Sequence, residues 1–259
     1  MDLAAEQISG DKTRKMRKPS RVPAIYCLTL VALLFSIRCP AEIEPDAKAI
    51  FEAYAAALGG EEAYADIDTA QMGMTIEMPT IGMSMVREVS FMQPNKIFAE
   101  MDIQGMGKMR QGYDGEKGWS VDPIQGSREL EGAELDKLLS ETDFKEGINL
   151  ADKYASAKIA GKDENGLVVL ECVTADGGHP EKLYFDTQTD LLQKMETIED
   201  MGPQGEVPVS AQVVSYEKMG DLLMPVHIDA QMLGMSMIMK ITRFEPNVPV
   251  DESLFSMPE

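Results

Sequence analysis

The stretch QMGMTIEMPTIGMSMV, Gln71 to Val86, decides the fold. Met72, Met74, Ile76 and Met78 alternate with Gln71, Gly73, Thr75 and Glu77; Pro-Thr-Ile-Gly then interrupts, and the alternation resumes through Met83 and Met85. Successive side chains leave a strand on opposite sides, so an apolar period of two marks a strand with one dry face. The interruption holds Pro and Gly, which favour turn backbone, so the stretch predicts two antiparallel strands joined by a tight turn. It also puts five methionines into sixteen residues, and a near-copy, LGMSMIM, returns at Leu233 to Met239.

The rhythm continues outward. The second run reaches Met92, NKIFAEMDI places Ile97, Ala99, Met101 and Ile103 on one side, and GMGKMRQGYDG follows. Later strands read as YASAKIAGK, GLVVLECVT, EKLYFD, LLQKMETIE, VPVSAQVVSYEKMG and LLMPVHIDAQMLGMSMIMKITRFE, with turn residues at 164–166, 186–190 and 220–221. Helical spacing occurs twice. Ala49, Ile50, Ala53, Tyr54, Ala57 and Leu58 predict an amphipathic helix over 45–58, stopped by Gly59-Gly60 and followed by a short second turn. ELEGAELDKLLSETDFKEGINLADKY predicts one or two helices with Leu130, Leu135, Leu138 and Leu139 on the apolar side. About ten strands, with helices confined to the start and middle, make an α+β domain around one large antiparallel sheet. A flat sheet of that size is unfavourable, so it should curl.

Ahead of this domain, DKTRKMRKPSR (11–21) is basic and VPAIYCLTLVALLFSI (22–37) is an apolar run of 16 residues followed by RCPAE. That is the layout of a secretory signal, and the run is short for a permanent span, which needs about 20 apolar residues. Residues 1–41 are expected to be removed by cleavage after Ala41, with 1–15 upstream of a start at Met16. A lipid anchor on Cys39 is the alternative, and Arg38 before it fits that poorly. The mature chain, 42–259, then has 218 residues with 17 basic and 41 acidic side chains. One domain fits that length. Nucleic acid is excluded as a partner, because its binding needs a basic surface, and the acidity argues equally against attachment to anionic lipid headgroups. Of three cysteines only Cys172 remains, in a strand-like run, where a small buried hydrophobe is expected.

The side-chain inventory does not argue for an enzyme. His179 and His227 have no partner at metal-ligand spacing; His227 is expected to face water and His179 to sit in a loop. Ser236 lacks a nucleophile-elbow context. Gly105 and Gly107 lead into a strand, with no helix start to receive a phosphate. No cofactor is expected.

The order helix, ALGG, strands, QPNKIFAEM, YDGEKGWSVDP, helices, LYFD to LLQK, and MPVHI to RFEPNVPVDESLFSMP resembles the periplasmic lipoprotein-carrier family (LolA- and LolB-like), in particular its outer membrane lipoprotein-sorting relatives. The resemblance spans roughly 45–258 and is one of pattern, with no single diagnostic motif. It implies an incomplete antiparallel β-barrel whose concave apolar face is covered by helices and shelters the acyl chains of lipid-modified proteins. It implies donor and acceptor partners at the inner and outer membranes. Gln93 stands before Pro94 where such carriers place an arginine that holds the lid helices, and a neutral amide cannot make the same charge-assisted contacts.

Three readings of the methionines compete. They fill a core, because an unbranched thioether packs into irregular space. They line an acyl-binding cavity, where a side chain that changes rotamer accommodates varied chains. Or their Met-x-Met spacing ligates Cu(I). The sequence favours a carrier whose cavity is lined by Met72, Met74, Ile76, Met83, Met85, Met101, Trp119, Met235, Met237 and Met239, with a non-binding structural envelope domain and a Cu(I)-binding protein as alternatives. No metal is expected at these residues under the favoured reading.

Overall fold

The structure, a computed structural model, describes residues 42–175, 177–200 and 205–258. The basic and apolar runs, Cys39 and the expected cleavage site lie outside the described residues.

Two helices open the domain, α1 (Pro45–Ala57) and α2 (Gly60–Ala65). Pro45 occupies the first turn of α1, where its missing N–H costs nothing. Gly59 ends the helix at φ 121°, and a Cβ there would lie 3.0 Å from Ala63 and 3.1 Å from the Asp221 carbonyl. The chain needs glycine at this point both for its backbone and for the close approach.

Six strands follow: β1 (Thr69–Met78), β2 (Met83–Met92), β3 (Lys96–Ile103), β4 (Gly107–Tyr113), β5 (Gly118–Asp122) and β6 (Gly126–Glu129). After α3 (Gly132–Ser140) and a 3-10 turn at Leu150–Lys153 come β7 (Tyr154–Lys162), β8 (Val168–Thr174), β9 (Glu181–Asp186), β10 (Leu191–Asp200), β11 (Glu206–Met219), β12 (Leu222–Met232) and β13 (Met235–Pro246). A last 3-10 turn covers Glu252–Phe255. Across the sheet the order is β6-β5-β4-β3-β2-β1-β13-β12-β11-β10-β9-β8-β7. The sheet thus consists of two meanders, joined where the first strand pairs with the last. It is open, with β6 and β7 at its edges.

Among the described residues, thirteen strands replace the expected ten or so. The final run is two strands, split by Leu233 at φ 54° and Gly234 at φ 74°, which close a two-residue hairpin between Met232 and Met235. Positive φ at both turn positions is the geometry that matches strand twist. The segment GWSVDPIQGSRE forms a further hairpin, β5–β6, held by Asp122, whose Oδ1 accepts from the amides of Ile124 and Gln125 at 2.8 and 2.7 Å. In the middle of the chain only α3 is α-helical. The segment after it runs in turns, one of them closed by Asp143 accepting from the Lys145 amide at 2.8 Å.

Three apolar clusters divide the dry face. Ala47, Phe51, Tyr54 and Leu58 of α1 pack against Leu170, Cys172, Leu183 and Phe185 of β8 and β9. Cys172 is a buried free thiol whose pKa burial pushes up to about 12, so it serves as a small hydrophobe. Tyr64, Leu130, Leu138 and Phe144 cover Ala70, Val89, Phe91, Ile97 and Ala99 of β1–β3. The third cluster holds Ile76, Met85 and Ile103, ringed by methionines, and has no helical residue in it.

The opposite face is wet and charged. Arg243 bonds Glu88 and Glu245, and Glu100 accepts from Lys108 and Arg110, which hold its carboxyl below the usual range. One patch of this face is dry. Trp119 lies tilted against Phe98, with ring centroids 6.2 Å apart, and its Nε1–H donates to the Phe255 carbonyl at 2.6 Å. Gly112 lies beneath the indole, and a Cβ there would sit 2.5 Å from the ring.

Candidate functional site

The pairing register shows why the two methionine-rich stretches resemble each other. Ile76 of β1 faces Met85 of β2 on one side and Met239 of β13 on the other, so the near-copies flank the same strand. Same-face neighbours then follow across the sheet: Met85 faces Ile103, Met239 faces Ile228, Met237 faces Ala230, Met78 faces Met83, and Met101 faces Met109.

Of the ten residues expected from sequence, seven belong to the third cluster: Met74, Ile76, Met83, Met85, Met101, Met237 and Met239. Met85 and Ile76 are buried there, so these two are packed rather than open. Met72 lies farther along β1 and packs against the second cluster. Met235 stands at the β12–β13 turn opposite Met232. Trp119 is a correction: through its pairing with Gly112 and the pairing of Gly112 with Phe98, it falls on the other face, under the carboxyl-terminal 3-10 turn. A strand residue displaced by one position changes face.

Two cavities open on the dry face. The first, about 310 Å³, has a floor of Met72, Val89, Phe91, Ile97, Ile241 and Phe244 and a cover of Tyr54, Leu58, Tyr64 and Phe144. Its charged lining residues are Arg87, Glu141, Asp143 and Glu146, and burial raises the Glu146 carboxyl above its ordinary range. The second, about 470 Å³, lies between β3–β4 and α3 and is lined by Ala99, Met101, Met109, Gln111 and Leu138 together with Glu134 and Lys137. Both cavities share Arg87 and Glu141.

Those two residues form an ion pair, Nη2 of Arg87 to Oε2 of Glu141, with both side chains partly buried. Arg87 occupies a dry-face position, paired with Met74 on one side and Met101 on the other. Its guanidinium therefore rises from an apolar floor to hold the segment that follows α3. Sequence reasoning missed this pair. Its signal was present, since Arg87 is in phase with Met85, Val89 and Phe91, and a cation in that register needs a partner. Gln93, where the resemblance implied a latching arginine, lies in the β2–β3 turn, and its backbone N–H donates to the Asp68 carbonyl at 2.8 Å. Arg87, not Gln93, bonds the sheet to Glu141 at the end of α3.

Both histidines sit at charged contacts. His227 Nε2 is 3.0 Å from Asp229 and His179 Nε2 is 3.2 Å from Glu206. Among the described residues no group of three or more His, Cys, Asp or Glu is placed to hold a metal ion.

No family model matches the chain, and no curated protein matches it. Solved structures share its fold. A DUF1329 family protein from Desulfovibrio piger aligns with a TM-score of 0.54 at 11% identity, over 81% of this chain and 96% of that one. A LolA superfamily protein from Nitrosomonas europaea gives 0.54 at 10% identity, over 81% and 96%. A structure described as an outer membrane lipoprotein-sorting protein domain from Vibrio parahaemolyticus gives 0.50 at 12% identity, over 79% and 97%. The likeness is one of fold, and the fold is the one that the sequence pattern resembles.

Proposed function

We propose that the chain is an exported carrier or chaperone that shelters acyl chains, of lipids or of lipid-modified proteins, against the dry face of its sheet. One observation carries this reading. Two cavities with apolar floors lie on the dry face and share the Arg87–Glu141 pair in their lining. A ligand site is typically a concave apolar space with few placed polar groups. Outer membrane lipoprotein sorting is the process that one fold neighbour's description suggests for it, and donor and acceptor proteins at the two membranes are what the family resemblance implies.

The methionines divide under this reading. Met72 lines the first cavity and Met101 and Met109 the second, where a thioether chain changes rotamer to suit its occupant. Met85 packs with Ile76 and Ile103 as core. The direct test is native mass spectrometry of the protein as purified, followed by titration of the delipidated protein with a fluorescent fatty acid. Bound lipid, or saturable probe binding displaced by long-chain lipid, is expected. Absence of both would leave a structural envelope domain with a filled core.

The shared pair makes a second expectation. Arg87→Met removes the charge that lines both cavities, and Glu141, partly exposed, hydrates in its place, so stability should change by no more than about 1 kcal/mol. Each methylene that a longer probe then buries past this position is worth about 0.8 kcal/mol, or roughly fourfold in affinity. A chain-length series measured on both proteins should show the variant's advantage growing with length. Parallel series would mean that the cavities are not joined by removing the pair.

A further inference from the structure

Neighbouring strands run antiparallel, so alternate turns of the sheet fall at one end. The β5–β6, β3–β4, β1–β2 and β12–β13 turns are consecutive there, closed by the pairs Asp122–Gly126, Ile103–Gly107, Met78–Met83 and Met232–Met235. Each carries one large apolar side chain in water: Ile124 is 84% exposed, Met106 54%, Ile81 52% and Leu233 51%. The turns also touch in sequence around the rim. The Ser236 amide donates to Thr80 Oγ1 at 3.3 Å, and the Gln104 amide donates to the Ser84 carbonyl at 3.2 Å.

Charge sets this end apart. None of residues 78–83, 104–108, 123–128 and 231–236 is Asp or Glu, in a chain that has 44 such side chains among 259; Asp122, at the base of the β5–β6 turn, is the one carboxylate among the four closing pairs, and its Oδ1 is taken up by the Ile124 and Gln125 amides. The charges within these segments are Lys108 and Arg128, both basic and each tied to a strand or helix carboxylate. On the next hairpin, Glu199 and Glu206 mark where the uncharged rim stops.

We propose that these four turns are a membrane-docking rim, which inserts Ile81, Met106, Ile124 and Leu233 between the headgroups of a neutral, zwitterionic bilayer. Strands lie about 4.8 Å apart, so hairpin tips recur about every 10 Å. A row of single apolar side chains at that spacing, on uncharged backbone, enters gaps between lipids. A stable protein interface requires a contiguous, closely packed centre instead. Withdrawal of carboxylates from one end of so acidic a chain lowers the cost of bringing that end to a lipid surface. No described helix is long and apolar enough to cross a membrane, so contact at the turns needs no spanning segment. The rim borders the third cluster at Met78, Met83 and Met237, but the proposal does not depend on the cavities.

Residues 42–259 hold every strand and core residue described above, so the test uses that unit, free of the apolar run before it. It should co-sediment with phosphatidylcholine vesicles, and less with vesicles rich in phosphatidylglycerol at low salt, a difference that added salt reduces. The fourfold variant Ile81→Ser, Met106→Ser, Ile124→Ser, Leu233→Asn should melt as the parent does and lose at least tenfold in vesicle partition, while Val214→Ala, an exposed apolar position outside the rim, should keep it. Three results would each overturn the proposal: no sedimentation of the parent with phosphatidylcholine, equal sedimentation of the fourfold variant, or loss in that variant of self-association between copies with vesicle binding unchanged. Single Ile124→Asp serves as a second variant should the fourfold one fail to fold, with the same direction expected.

Discussion

Phe185→Ala is expected to destabilise the domain by about 3–5 kcal/mol, and in a chain of this size to lower its melting temperature by roughly 6–20 °C. Phe185 has no exposed surface. Its ring meets Phe51 edge-on at 6.1 Å and Tyr54 at 5.6 Å, both from α1. Truncation leaves a void between helix and sheet that neither can collapse to fill, because Leu183 and Leu170 beside it are equally buried. Urea and thermal melts measure the loss, and Val214→Ala, at an exposed position, should stay within about 0.5 kcal/mol as the control. A loss below about 1 kcal/mol at Phe185 would mean that α1 does not seat there.

The second large effect separates lining from packing. Met72→Trp and Met101→Trp place an indole in space that is already empty, so their melts should stay close to the parent while affinity for a fluorescent fatty acid falls at least tenfold, about 1.4 kcal/mol. Met85→Trp should do the reverse. Met85 is packed between Ile76 and Ile103, and overfilling such a site costs about 1–3 kcal/mol. If all three variants unfold alike and the parent binds no probe, the methionines are core throughout and the carrier proposal is wrong.

What could be read from sequence was whatever rested on local period. The alternation from Gln71 to Val86 gave β1, β2 and the turn at Pro79–Ile81, and the spacing from Ala49 to Leu58 gave α1. Hidden features depended on a single backbone state or on a distant partner. Leu233 at positive φ is uncommon for a branched side chain, and Gly234 without a proline or polar turn residue beside it was read as part of the run, so the break between β12 and β13 was missed. The β5–β6 hairpin escaped because its strands are five and four residues long. Met72 and Met101 were placed on the dry face by period and stand there, whereas Trp119 was chosen by its resemblance to a motif and period alone could not say which face it joined. Arg87 was passed over because periodicity was traced through apolar residues only. A charged residue in phase with them is the feature worth seeking, since the dry face tolerates it only with a partner.

The seam between β1 and β13 also sets a timetable. β1 is complete at Met78, yet the strand that covers its free edge begins at Met235 and ends at Pro246. At synthesis rates of roughly 5–20 residues per second, that edge stays unpaired for about 8–30 s after β1 has emerged. Throughout this interval a strand with one apolar face, Glu77 its single charge, and open N–H and C=O groups is a template for pairing with another chain. The same delay keeps the two meanders from joining before the chain is finished, because the β1–β13 pairing has one of the longest sequence separations that the chain permits and such contacts form late. Loss of the last strand would therefore leave two separate meanders with their dry faces exposed, and the nascent protein must be shielded or moved before its own carboxyl-terminal strand arrives.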